Sequence, residues 1–124
     1  MASAITKSLS GTITTYTVSV WVKKFVKGGL EYIFNAGSGG LAFTADKMKF
    51  QSSGTPTSTR MFRDPSAWYH VCVSCSSGTS TLYINGVSVL TSGSDCSMSS
   101  NIYVGGYDST PEYPFIGLMS HFHF

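Results

Sequence analysis

The stretch Phe62 to Cys75, FRDPSAWYHVCVSC, puts a tryptophan, a histidine and two cysteines behind an Asp64-Pro65 turn. Cys72-x-x-Cys75 has the spacing of half a zinc site, but no second ligand pair with matching spacing accompanies it. His121-x-His123 offers two imidazoles on one strand face, and with no third ligand they read as edge histidines. No metal and no cofactor are therefore expected. Val71 and Val73 alternate with His70 and Cys72, so the stretch reads as a β-strand with its valines inward. Three cysteines are an odd count. Cys72 and Cys75, three apart on a strand, point to opposite faces and cannot readily bridge. Cys96 is a possible partner for either. The reading favours three reduced thiols acting as small buried hydrophobes.

Catalysis by acid pairs finds no support. Glycoside hydrolysis needs two carboxyl groups a few ångströms apart. The six carboxylates, Glu31, Asp46, Asp64, Asp95, Asp108 and Glu112, are scattered through turns and loops without a Glu-x-Asp-x-Glu run. There is no Gly-x-Ser-x-Gly elbow, and the Gly-rich GSGG lies between strands rather than ahead of a helix. The chain does not read as an enzyme. Two places could bind a ligand or partner instead. The loop GGYDSTPEYP carries Tyr107, Asp108, Glu112 and Tyr113, aromatics beside carboxylates that suit sugar stacking and hydrogen bonding. Trp21 lies on the outward side of its strand and would mark an interface if exposed.

These residues need a scaffold, and the composition says which kind. The 124 residues suit one domain, 1–124, with 11% charged and 14% aromatic residues. Few helix formers and many Ser, Thr, Tyr and Val positions favour β-structure. A net charge of +2 without a basic run gives no footprint for nucleic acid, and Lys23-Lys24 reads as a solvated strand end. No apolar stretch approaches the ~20 residues of a membrane helix, and MASAITKSLSGTITTY lacks the apolar core of a secretion signal.

Turn signals recur at Gly28-Gly29, Gly37 to Gly40, Gly54 to Pro56, Asp64-Pro65, Ser77-Gly78, Asn85-Gly86 and Gly93. Short alternating runs fill the intervals, the pattern of a two-sheet antiparallel sandwich. Strands are expected through Thr17–Lys24, at Tyr32–Asn35, Leu41–Thr44, Lys47–Gln51, Arg60–Arg63, Ile102–Gly105 and Phe115–Phe124, with one beginning at Trp68. Asn85-Gly86 predicts a two-residue type I′ hairpin that sets Ile84 opposite Val87 and Leu82 opposite Val89. Inward positions should include Val18, Val20, Val22, Val71, Val73, Leu82, Ile84, Val87, Val89 and Val104.

The segments YTVSVWVKK, YIFNAGS, AWYHVCVSC, LYINGV, IYVGGY and FIGLMSHFHF resemble the successive strands of a laminin-G-like, concanavalin-type jelly roll. TKSLSG at Thr6 to Gly11, WVKK, FRDPSAWYHV and YVGGY are more similar still to LamG-like modules of tailed-bacteriophage virion proteins. The resemblance runs from about Ile5 to the last residue, and FRDPSAWYHV is its most specific part. It implies an all-β jelly roll and a non-enzymatic virion structural protein exposed on the particle surface, as a capsid decoration or an appendage or fibre module. Made in the bacterial cytoplasm, such a protein would partner other virion proteins, further copies of itself and a host surface glycan, with no nucleic acid or membrane. The alternative is a free glycan-binding lectin or receptor-binding adhesin. Three departures stand out: a compressed N-terminal region, an end on the last strand, and no clear counterpart of the acidic cluster that holds calcium in some laminin-G and pentraxin domains. Calcium and sugar ligands therefore do not carry over residue by residue.

Overall fold

The computed structural model describes residues 5–25, 28–37, 39–51, 55–93, 96–99, 101–107 and 113–124. Its strands are β1 (Ile5–Ser8), β2 (Thr15–Lys24), β3 (Leu30–Ala36), β4 (Gly39–Thr44), β5 (Lys47–Phe50), β6 (Thr57–Met61), β7 (Tyr69–Ser76), β8 (Thr79–Ile84), β9 (Val87–Ser92), β10 (Asn101–Val104) and β11 (Gly117–His123). They form the expected all-β sandwich of two antiparallel sheets with jelly-roll architecture. One sheet runs β1-β10-β3-β4-β5-β6 and the other β11-β2-β7-β8-β9.

Alternation decides what lies between the sheets. Val18, Val20 and Val22 of β2 face inward, register with Val73, Val71 and Tyr69 of β7, and are buried with them. Leu82 and Ile84 extend that layer through β8. Phe34, Leu41, Phe43, Met48 and Phe50 supply the facing layer from β3, β4 and β5. Aromatic edges join the layers: Phe62 meets Phe43 at 6.1 Å and Tyr69 at 5.3 Å between ring centroids.

The Asn85-Gly86 turn forms as the sequence requires, with φ of 52° and 83°, and Ile84 pairs with Val87. The register beyond it differs from expectation. A bulge between Leu82 and Tyr83 sets Leu82 opposite Leu90, not Val89. Val87, at the hairpin tip, is 60% exposed rather than inward. Val89 and Val104 are only half-buried, packed against the rim of the core. The strand expected at Arg60–Arg63 lies earlier, at Thr57–Met61, and β1 pairs with β10 where no strand was foreseen.

Two expectations about single residues fail. Lys24 is 2% exposed, not a solvated strand end, because it continues the inward series of Val18, Val20 and Val22. Cys75 and Cys96 form a disulfide, leaving Cys72 as the free thiol. Cys75 shares the inward face of Val71 and Val73, and an Ile13–Met98 bridge draws the residues around Cys96 toward it. The resulting Cα separation of 6.3 Å suits a bridge. Cys72 points outward, as its offset from Cys75 required. Among the described residues no helix is long and apolar enough to cross a membrane.

Candidate functional site

With the valines of β2 turned inward, Ser19, Trp21 and Lys23 face out. Register places Trp21 between His70 of β7 and Ser120 of β11. The Trp21 and His70 rings meet at 4.9 Å between centroids. His70 is itself fixed by the hairpin turn: its N–H donates to Asn85 Oδ1 at 2.8 Å, and Asn85 N–H returns a bond to its carbonyl at 2.9 Å. Trp68 arrives from the Asp-Pro turn, where Ser66 N–H donates to Asp64 Oδ1 at 2.8 Å. On β11 the register shifts between Ser120 and His123, and His121 takes a positive φ of 54°. That irregularity brings His121 Nδ1 within 2.6 Å of Ser120 Oγ.

Trp21, Trp68, Ser120 and His121 together line an open cleft of about 380 Å³. Its two indoles are 41% and 40% exposed, unusual for the largest apolar side chain. Flat aromatic walls with a few polar groups at the rim suit a ring-shaped ligand that stacks on one side and hydrogen-bonds on the other. Trp21 was picked out by strand parity. Trp68, Ser120 and His121 were missed as site residues, since only the β11 irregularity and the Asp64 turn aim them at Trp21.

Tyr107 and Tyr113 come together elsewhere. They close over Tyr32 on the outer side of the six-stranded sheet, with centroids 5.0 Å and 6.3 Å from it and 6.2 Å apart. Asn35 Nδ2 donates to the Tyr107 carbonyl at 2.9 Å, and Tyr32 N–H to that of Tyr113. The Tyr32 hydroxyl donates to Gln51 Oε1. Burial, reinforced by the two neighbouring tyrosines, pushes the Tyr32 phenol up to about 12. This cluster packs Tyr107 and Tyr113 onto the sheet. Asp108 and Glu112 lie outside the described residues, so the carboxylates proposed to accompany the tyrosines have no described position. The sequence-selected residues thus divide between two sheets, Trp21 on one and the tyrosines on the other.

The charged groups that do meet are interior. Lys24 Nζ lies 3.2 Å from Asp46 Oδ1, 3.6 Å from Glu31 Oε2 and 4.6 Å above the Phe43 ring. Gly28 N–H donates to Asp46 Oδ1 at 2.6 Å, Arg63 reaches Oδ2 at 3.4 Å, and Ile116 N–H donates to Glu31 Oε1 at 2.8 Å. The Gly28 bond, aided by Lys24 and Arg63, holds the Asp46 carboxyl below its usual range despite burial. Burial raises Glu31 instead, outweighing the Ile116 bond and the pull of Lys24. Both carboxylates are thus engaged within the protein. Among the described residues no three His, Cys, Asp or Glu side chains converge as metal ligands.

The family model for the concanavalin A-like lectin/glucanases superfamily matches residues 2–124. No curated protein matches the sequence. Solved structures do. A candidate carbohydrate-binding protein from Bacteroides ovatus aligns over 96% of this chain and 39% of its own, with TM-score 0.78 and 18% identity. The native heptameric SAP-like pentraxin of Limulus polyphemus aligns over 94% and 65%, with TM-score 0.66 and 19% identity. Domain 4 of an extracellular arabinanase from Geobacillus stearothermophilus, solved in complex with arabinotriose, aligns over 92% and 61%, with TM-score 0.66 and 20% identity. The chain spans less than two thirds of each, and at these identities the likeness is one of fold.

Proposed function

The chain belongs to the concanavalin A-like lectin/glucanases superfamily, and from that premise we propose that it is a non-enzymatic carbohydrate-binding module whose ligand lies in the Trp21–Trp68 cleft. The observation that carries this reading is the pair of half-exposed indoles walling one open cavity. A sugar ring stacks its C–H face on Trp21, which His70 backs, while Ser120 and His121 meet its edge. The engaged state of Glu31 and Asp46 supports binding without hydrolysis, since neither is free to protonate a glycosidic oxygen. Carbohydrate binding named for the Bacteroides protein, and arabinotriose held by the arabinanase domain, agree with such a use of the fold.

A glycan array followed by titration calorimetry on Trp21→Ala and Trp68→Ala tests the reading. Losing one stacking wall should weaken binding by roughly tenfold, about 1–2 kcal/mol of stacking and buried area. An array without saturable binding, or affinity indifferent to both substitutions, refutes it.

The narrower setting is the surface of a tailed-phage particle, with the module as decoration or appendage part, assembled with copies of itself and meeting a host glycan. FRDPSAWYHV carries that setting, and the Cys75–Cys96 disulfide fits a protein that works in oxidising surroundings. Mass spectrometry of purified particles decides it. Absence of the chain leaves the free lectin or adhesin.

A further inference from the structure

Nitrogen groups gather at the rim of the Trp21–Trp68 cleft, and no carboxylate is among its lining residues. All three histidines of the chain belong to this face. His70 lies under Trp21, His121 lines the cleft, and His123 pairs with the outward Ser19 while its ring stacks on His121 at 6.5 Å. Lys23 is the next outward residue of β2 after Trp21, opposite Leu118, roughly 7 Å along the strand. The acceptors are fewer. Ser120 Oγ is engaged with His121 Nδ1. Asp64, in the turn ahead of Trp68, already accepts from Ser66. Glu31 and Asp46 are interior, held around Lys24.

Charge follows the same division. Among the described residues Lys24, Glu31 and Asp46 are sequestered together, and Asp64 is the remaining carboxylate side chain. A neutral sugar's hydroxyls donate as well as accept, and its sites commonly supply carboxylates or side-chain amides to take those hydrogens. This rim answers with N–H groups instead, which a ligand bearing its own acceptors can satisfy. An anion set against two indoles also needs a charged partner close by, because unpaired it loses solvation without return.

We infer that the cleft selects acidic saccharides, those containing a uronic acid, with the ring stacked on Trp21 and the carboxylate directed to Lys23 and the imidazoles. This rests on the carbohydrate-binding reading above and names its ligand class.

The test uses the whole chain and paired oligosaccharides: short oligomers of galacturonate, glucuronate and mannuronate, each beside its carboxyl-reduced counterpart. Calorimetry should show at least one acidic oligomer binding about tenfold tighter than its reduced partner, the scale of one charge-assisted hydrogen bond. That difference should shrink at roughly 0.5 M salt, where screening is short-ranged. Lys23→Glu should abolish the difference between the two ligands, and Trp21→Ala should weaken the acidic one. Equal binding of both partners that depends on Trp21 overturns the acidic selection and leaves carbohydrate binding intact. Acidic binding indifferent to Trp21→Ala overturns it too, by assigning the charge effect to another part of the surface. If neither member of any pair binds, and the array is also silent, the carbohydrate reading falls and takes this inference with it.

Discussion

Lys24 shows how one residue governs a region that sequence reading assigned to solvent. Its ammonium is shared by two buried carboxylates, with Arg63 a second cation at Asp46, and lies over the Phe43 ring. Lys24→Met keeps the volume but strands Glu31 and Asp46 without their shared cation. The expected loss is about 3–5 kcal/mol, readable as a lower urea midpoint. The two carboxylates then respond to pH with opposite sign. Asp46 titrates below 3.8 in the fold, so its contribution is present above that value and disappears as pH falls through the lowered one. Glu31 titrates above 4.5, so its contribution is present at acid pH and lost as pH rises through the raised value. Glu31→Gln should therefore remove a decline in stability that the parent chain shows above pH 4.5; parallel urea midpoints for both proteins across that range would contradict it. The network was legible in principle, since Lys24 keeps the parity of Val18, Val20 and Val22. Its pairing with Lys23 obscured that parity. Glu31 and Asp46, fifteen positions apart in a strand and a turn, carry no sequence signal that they share a cation.

Strands and turns were the most readable level, because side-chain alternation and turn residues act locally. Inward and outward faces of β2 and β7 follow directly from their valines, and Asn85-Gly86 dictates the β8–β9 turn. What failed depends on partners distant in sequence. The bulge between Leu82 and Tyr83 shifts the pairing of β8 with β9, and the Cys75–Cys96 bridge depends on where the segment after β9 returns. Spacing excluded Cys72 with Cys75 but could not choose the pair that forms. The bridge encloses a separation of 21 residues and ties β7 to the β9–β10 connection, beside the bond from the Tyr16 hydroxyl to the Cys96 carbonyl. Replacing both cysteines by alanine should cost about 3 kcal/mol, and reducing agent should lower the parent but not the variant. A thiol assay on the unfolded, unreduced chain should find Cys72 alone; three thiols per chain would remove the bridge from this account.

At the scale of the molecule, the sandwich presents two outer faces with different aromatic equipment, and this allows a ligand to be located by light. The chain has two tryptophans, and both wall the same cleft, each exposed by about two fifths. The opposite sheet carries the tyrosine cluster of Tyr32, Tyr107 and Tyr113. Sequence reading named residues on both faces without separating them, because the chain crosses between the sheets at β1–β2, β2–β3, β6–β7, β9–β10 and β10–β11, and only the closed topology shows which residues share a side. A saccharide stacking in the cleft displaces water from both indoles at once. Tryptophan emission should therefore shift to the blue and saturate with the calorimetric isotherm, and in Trp68→Phe the remaining Trp21 should report the same midpoint within a few-fold. A ligand held by the tyrosine face instead would bind by calorimetry while leaving the tryptophan emission where it was. Saturable binding with silent tryptophans would move the site to the six-stranded sheet and make Tyr107 and Tyr113 the positions to replace.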